Sequence, residues 1–270
     1  MRPEDIIDLG AYPITDPDAP ARAELIARLS RELSQNQYCT LPGFINPAAL
    51  ERVVKDVTEI RPRAFDNNLP RNCYLHQQGD PALPPDHPRN IIQQSSTRMI
   101  ADDLLAEDSP LKILYHWQPM RQMVTDIVGA ERLYDSADRF QPVNVLCAEV
   151  GDQAPWHYDT TNAFTMTLML QAPAKGGDFE LVPNSRSDTD QNYDFVGEVL
   201  TGKRPDDVVR IPRALGSLCI FRGCNSLHRV TAVEAGPMRM MAVFVYEAQP
   251  GVIGDPTANA TTYGPRAVAP

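Results

Sequence analysis

The chain has 270 residues and a formal charge of −10. An acidic chain with scattered arginines and no basic run excludes a nucleic-acid surface, which needs a basic patch. No apolar run approaches the ~18 residues of a membrane span, and a chain of this length buries a core without a structural metal or disulfide.

Residues 1–20 are rich in Pro and Asp and predict an extended arm. They hold no apolar stretch of the kind a secretory leader needs. Residues 21–36 carry Leu25, Ile26, Leu29 and Leu33 at helical spacing. "YCTLPGFI" reads as a short strand ending at Pro-Gly. "NPAALERVVKDVTEI" starts a helix with Asn46 as N-cap and Pro47 in the first turn. Residues 62–97, rich in Pro, Asn and Gln, predict a long loop, and 110–128 a further helix, with His116 beside Trp117 in helix packing. From about residue 140 the texture changes to short apolar runs between turn signals: "VNVLCAEV", "AFTMTLMLQ", "DFELVP", "SLCIFRG", "LHRVTAV" and "RMMAVFVYE". These predict an antiparallel double sheet. The insertion "SDTDQNYDFVGEVLTGKRPDDVV" predicts a short helix with loops. The fold expected is α+β: a jelly roll with flanking N-terminal helices. All of 1–270 is taken as one domain, mainly helical over 1–139, jelly roll over 140–250 and a tail over 251–270. The five cysteines are odd in number and form no CxxC pair. They read as buried free thiols of a reducing compartment, so a cytoplasmic location is expected.

The chemistry gathers in "APWHYDTTNAFTMTLMLQ". His157 and Asp159 sit two apart at the mouth of a strand. Far downstream, His228 opens another strand after a glycine-containing turn. Two imidazoles and one carboxylate are the donor set of the facial triad of non-haem Fe(II) oxygenases, which leaves coordination positions open. A structural zinc site would close its fourth position, often with Cys, and no cysteine pair is placed to do so. Arg239 begins the next strand. Its planar fork matches a carboxylate, so a dicarboxylate co-substrate has one partner at the metal and another at Arg239. Trp156 and Tyr158 flank His157 and, by strand alternation, point away from the metal as packing.

This order resembles the Fe(II)/2-oxoglutarate-dependent oxygenase superfamily over about residues 140–250. The resemblance implies a double-stranded β-helix, Fe(II) at His157, Asp159 and His228, and 2-oxoglutarate and O2 as co-substrates. It implies that Arg239 holds the distal carboxylate of 2-oxoglutarate. Many relatives have Ser or Thr two residues after that arginine, where this chain has Met241. A narrower likeness lies in "WHYDTTNAFTMTLMLQAPAKGGDFELVPNSR", "FRGCNSLHRVTAV", "VFVYEAQPG", "LKILYHW" and "YDSADRFQPVNV". These are similar to carrier-free amino-acid halogenases and their hydroxylase relatives. In those halogenases Gly or Ala replaces the carboxylate ligand and chloride takes its place. Asp159 therefore implies hydroxylation, with a small free amino acid or related amine-carboxylate as substrate.

Arg98 matches an arginine that holds the substrate carboxylate in that group, and Thr160 and Asn162 follow the ligand pair closely enough to face a substrate. Turn formation is the plain alternative for both of the latter. Tyr263 is a candidate cap on the pocket. Desaturation, cyclisation or halogenation would start from the same site, and a redox-inert cupin-type isomerase is the rival class. Neither a nucleic-acid nor a membrane partner is expected, and the sequence is silent on oligomeric state.

Overall fold

The computed structural model describes residues 1–160 and 163–268. Helix α1 (Pro20–Asn36) starts at a proline, whose fixed φ suits a first turn, and stops where Gln37 turns left-handed. Its Leu25, Leu29 and Leu33 form one buried stripe. Helix α2 (Pro47–Ile60) buries Ala49, Val53 and Val57. Asn46 precedes it but does not cap it. Its Nδ2 donates instead to the carbonyls of Asp5 and Ile7, at 3.1 and 3.0 Å. The N-terminal segment is accordingly not the extended arm expected: Ile6, Ile7, Tyr12 and Ile14 are buried in the main core, because four apolar side chains outweigh the Pro and Asp around them. The helical stretch expected at 110–128 is two helices, α3 (Pro110–His116) and α4 (Gln118–Val128), broken at the extended Trp117. His116 is not part of their packing but exposed and ion-paired to Asp135 at 3.0 Å.

Among the described residues eleven strands build the two larger sheets, beside three two-stranded ribbons. In chain order the first six are β1 (Tyr38–Leu41), β2 (Phe65–Asn67), β3 (Thr97–Ile100), β4 (Val143–Ala148), β5 (Ala154–His157) and β6 (Thr165–Gln171). There follow β7 (Phe179–Val182), β8 (Val209–Ile211), β9 (Leu218–Phe221), β10 (Leu227–Val230) and β11 (Arg239–Phe244). The larger sheet runs β1-β9-β6-β11-β4-β3-β2 and the smaller β8-β7-β10-β5. Both are antiparallel throughout. The fold is thus α+β with a jelly-roll core. The stretch 62–97 is less of a loop than its composition suggests, since it supplies β2 to the larger sheet. Asn72 ties down the rest, its Oδ1 accepting from the amides of Tyr74 and His76 at 2.9 and 3.0 Å.

Period-two alternation sorts the larger sheet into two faces. On the outer face Met240, Ala242, Phe244, Met166, Leu168, Leu170, Val143 and Val145 join the core under the helices. On the inner face Arg239, Met241, Val243, Thr165, Thr167 and Leu146 line a cavity closed on the far side by the smaller sheet. The smaller sheet's own outer face, with Trp156, Val182 and Leu227, packs under helix α5 (Tyr193–Leu200), as does Tyr158 just beyond β5. The C-terminal stretch is more than a tail: helix α6 (Pro256–Tyr263) is capped by Asp255 and buries Tyr263, which stacks on Phe140. None of the five cysteines is in a disulfide, and only Cys224 lies outside the fully buried set.

Candidate active site

His157 and His228 are direct partners across β5 and β10. Opposed residues of an antiparallel pair share a face, and here their ring centroids lie 4.2 Å apart. Asp159 sits two residues past His157, held by its amide to the Gly223 carbonyl at 3.1 Å. One donor atom from each of the three lies within 4.8 Å of the others. Each imidazole is set the same way. Nδ1 of His157 donates to Pro155 O at 2.7 Å and Nδ1 of His228 to Ser226 O at 3.0 Å. With the proton fixed on Nδ1, Nε2 of each ring keeps its lone pair for a metal. Asp159 Oδ1 is 3.5 Å from His228 Nε2, and Oδ2 accepts from Thr165 Oγ1.

The electrostatics suit a cation. Burial, helped by His228, pushes His157 down to about 4 and keeps it neutral. Burial alone would raise Asp159, but His228, His157 and the Thr165 hydroxyl outweigh it and hold the carboxylate well below its usual range. Burial would lower His228, but Asp159 outweighs it and raises it, so a metal would displace a proton from that ring. Two imidazole nitrogens and one carboxylate oxygen, converging with no fourth protein ligand among the described residues, fit an open-faced divalent iron site. Gly223 makes the room. A Cβ there would overlap the Asp159 carboxylate and press on His228.

The cavity beside this cluster has a volume of about 260 Å³ and contains two arginines. Arg239 is 4 % exposed and its Nε donates to Gly177 O at 3.1 Å. Gly177 has φ +66°, and a Cβ there would come within 3.0 Å of the Arg239 stem, so glycine is needed twice over. Burial, followed by repulsion from Arg213, pushes Arg239 down to about 9. Arg213 lies over the Phe179 ring, and its Nη2 donates to Thr167 Oγ1 at 2.7 Å and to Met241 Sδ at 2.9 Å. Its Nε is buried without a partner. The departure at Met241 therefore has a use: its sulfur meets a second arginine. Among the described residues neither guanidinium has a carboxylate within ion-pair distance, and buried cations without a counter-charge are costly.

The structure places the other candidates differently. Arg98, on β3, is taken up by acids: it pairs with Asp152, with Asp66 at 3.4 Å and with Glu149 at 3.5 Å. Its guanidinium is committed to the protein, which runs against the expected substrate contact. Thr160 lines a second cavity next to Asp159, with Gln141, Asn144, Phe164 and Tyr263. Asn162 lies outside the described residues. Sequence reasoning missed Gly223, Thr165 and Arg213. Gly223 was visible as a glycine ahead of His228, and Thr165 as a hydroxyl at a strand start. Arg213, in "RIPRALGS", follows no period that would have marked it.

A family model for HalD, Halogenase D, matches residues 21–262, most of the chain. The chain belongs to this family. Comparison with curated proteins gives no match. Among solved structures, the HalD chain is similar to an oxidoreductase of the 2OG-Fe(II) oxygenase family from Burkholderia pseudomallei, at TM-score 0.53 and 16 % identity, over 84 % of this chain and 92 % of that one. It is similar to AviO1 from Streptomyces viridochromogenes Tue57, at TM-score 0.56 and 16 % identity, over 85 % and 97 % of the two chains. It is also similar to the epimerase SnoN, solved with Fe3+, alpha-ketoglutarate and nogalamycin RO, at TM-score 0.56 and 17 % identity, over 87 % and 93 %. At these identities the likeness is one of fold. It places this chain in the jelly-roll architecture of the 2OG-Fe(II) oxygenases.

Proposed function

We propose that this protein is an Fe(II)- and 2-oxoglutarate-dependent oxygenase that hydroxylates an unactivated C–H bond of a small free amino acid or related amine-carboxylate. One observation carries the reading: the His157, Asp159 and His228 donors open onto the same cavity as the buried Arg239 and the half-buried Arg213, neither of which has an ion-paired carboxylate among the described residues. In this reading His157, Asp159 and His228 hold iron, and Arg239 with Arg213 holds the distal carboxylate of 2-oxoglutarate. Iron bound there would use O2 and 2-oxoglutarate to insert one oxygen atom into the substrate C–H bond, leaving succinate and CO2. The protein's part is positioning. Thr165 fixes one oxygen of Asp159, the Pro155 and Ser226 carbonyls fix the two rings, and Phe179 and Phe221 exclude water beside them.

Asp159 favours hydroxylation over halide transfer. The family's name refers to halogenation, which in the halogenases this chain resembles needs Gly or Ala at this position. Here a carboxylate with its own hydrogen bond fills the place. The amino-acid substrate rests on the motif likeness, supported by the small, mostly neutral cavity beside Thr160. The test is an anaerobic titration with Fe(II) and then 2-oxoglutarate, followed by an amino-acid panel with O2 and mass spectrometry. A weak visible charge-transfer band and a product heavier by one oxygen are expected. No band in the metal-loaded protein would remove the iron and 2-oxoglutarate assignment together.

A further inference from the structure

Next to His157 lies a smaller cavity of about 150 Å³, bordered by Arg71, Asn67, Ser95, Thr97 and His157 itself. Arg71 belongs to a short ribbon in which it pairs with Gln93. Its Nη2 donates to Asn67 Oδ1 at 2.9 Å, and its Nε is buried with no partner. No carboxylate among the described residues forms an ion pair with it. The contrast with Arg98, nearby on β3, is one of charge: its Nε also lacks a hydrogen bond, but that guanidinium meets three acids. Burial lowers the pKa of Arg71.

We infer that Arg71, and not Arg98, holds the carboxylate of the substrate. The inference rests on the oxygenase reading and names the anchor and the substrate class for that same site. Arg71 has an unused guanidinium face in a mixed polar and apolar recess whose wall includes His157. A carboxylate bound there places the rest of the molecule along the cavity next to Asp159, which shares Leu75 and Met99 with the recess. That neighbouring cavity is walled by Phe164, Val243, Val245 and Tyr263, and its single acid is Asp159 itself. It offers no counter-charge for a basic or acidic side chain. For an amine the recess supplies neutral side-chain oxygens only, those of Asn67, Asn72, Ser95, Thr97 and Thr262. The substrate class is therefore a monocarboxylate with an apolar chain at the reacting carbon, such as a neutral aliphatic amino acid. A planar guanidinium fork takes a carboxylate bidentately and a neutral amide poorly.

The experiment uses two readouts on the full chain, with L-valine, L-leucine, L-isoleucine and L-methionine and their primary amides as probes. The first is the perturbation of the visible band of the anaerobic Fe(II)/2-oxoglutarate-loaded protein. The second is the melting temperature of the metal-free protein. At least one acid is expected to perturb the band and raise the melting temperature, its amide needing at least tenfold higher concentration. Arg71→Gln should raise the concentration needed by at least tenfold, and Arg71→Lys should recover part of the loss, which a misfolded variant would not. Equal responses to acid and amide, an unchanged response in Arg71→Gln, or no response to any of the four acids would each overturn the inference. If wild type gives no band with 2-oxoglutarate alone, the oxygenase reading fails. An acid-specific, Arg71-dependent rise in melting temperature would still support the anchor.

Discussion

The two faces of the larger sheet are made by the same strands, yet they answer to different physics. On β11, Met240, Ala242 and Phe244 point outward into the core beneath the helices, while Arg239, Met241 and Val243 point inward to the cavity. The outer face is continuous hydrocarbon, and its worth is the apolar area it removes from water. The inner face holds Arg239, Thr165 and Thr167, polar groups that burial makes expensive. Residues adjacent in sequence thus differ in kind. The outer face stabilises the fold, and the inner face spends part of that stability on an electropositive cavity beside three metal-type donors.

The largest expected effect lies on the inner side. Asp159→Ala should lower hydroxylated product by more than about 100-fold and reduce bound iron, as measured by mass spectrometry and metal content. Full retained turnover would sink the three-donor assignment.

The sharpest form of the comparison is a pair of neighbours. Arg239→Ala should raise the 2-oxoglutarate KM by roughly 100-fold, since a buried carboxylate loses its charged partner at a cost of about 2–5 kcal/mol. It should leave the melting temperature unchanged or higher, because an unpaired buried cation is removed. Met240→Ala should do the reverse: a loss of about 2–5 kcal/mol in stability through the cavity it leaves, with the 2-oxoglutarate KM near wild type. If both variants change the same quantity, the division between faces is wrong.

Arg213→Gln tests how much of the anion site the second arginine supplies. A tenfold rise in the 2-oxoglutarate KM is expected. Removing Arg213 also removes one of the influences that lower Arg239, so Arg239 should hold its proton more firmly. Those titrations are best followed by carbon-detected NMR of the guanidinium carbons.

The smallest effect belongs outside both faces. The hydrogen bond to Asp135 raises the pKa of His116. A raised folded-state pKa gives stability that is complete below the unfolded value of about 6.5 and is lost as pH rises through the folded one. His116 is largely exposed, so His116→Ala should cost at most a few tenths of a kcal/mol, visible at pH 5.5 and absent at pH 9 in denaturant melts. Turnover should not follow it.

Local pattern was enough for much of this molecule. Apolar residues at helical spacing marked α1, Asn-Pro marked the start of α2, and short apolar runs between turn signals marked β4, β6, β9 and β11, because each signal depends only on neighbours along the chain. The pattern His157-x-Asp159, then His228, then Arg239 pointed to iron and a dicarboxylate for the same reason. Ligand type and strand starts are written in short segments. The N-terminal segment was misjudged because its Pro and Asp content hid four residues that fit a core formed elsewhere. What only the folded chain decided is which charges have partners. Arg71, Arg98 and Arg213 look alike as letters. Arg98 meets acids brought from β2 and from the turn after β4, while Arg71 and Arg213 form no ion pair among the described residues. Pairing of charges is a property of distances between distant segments, and burial sets its energy, so no single stretch of sequence carries it.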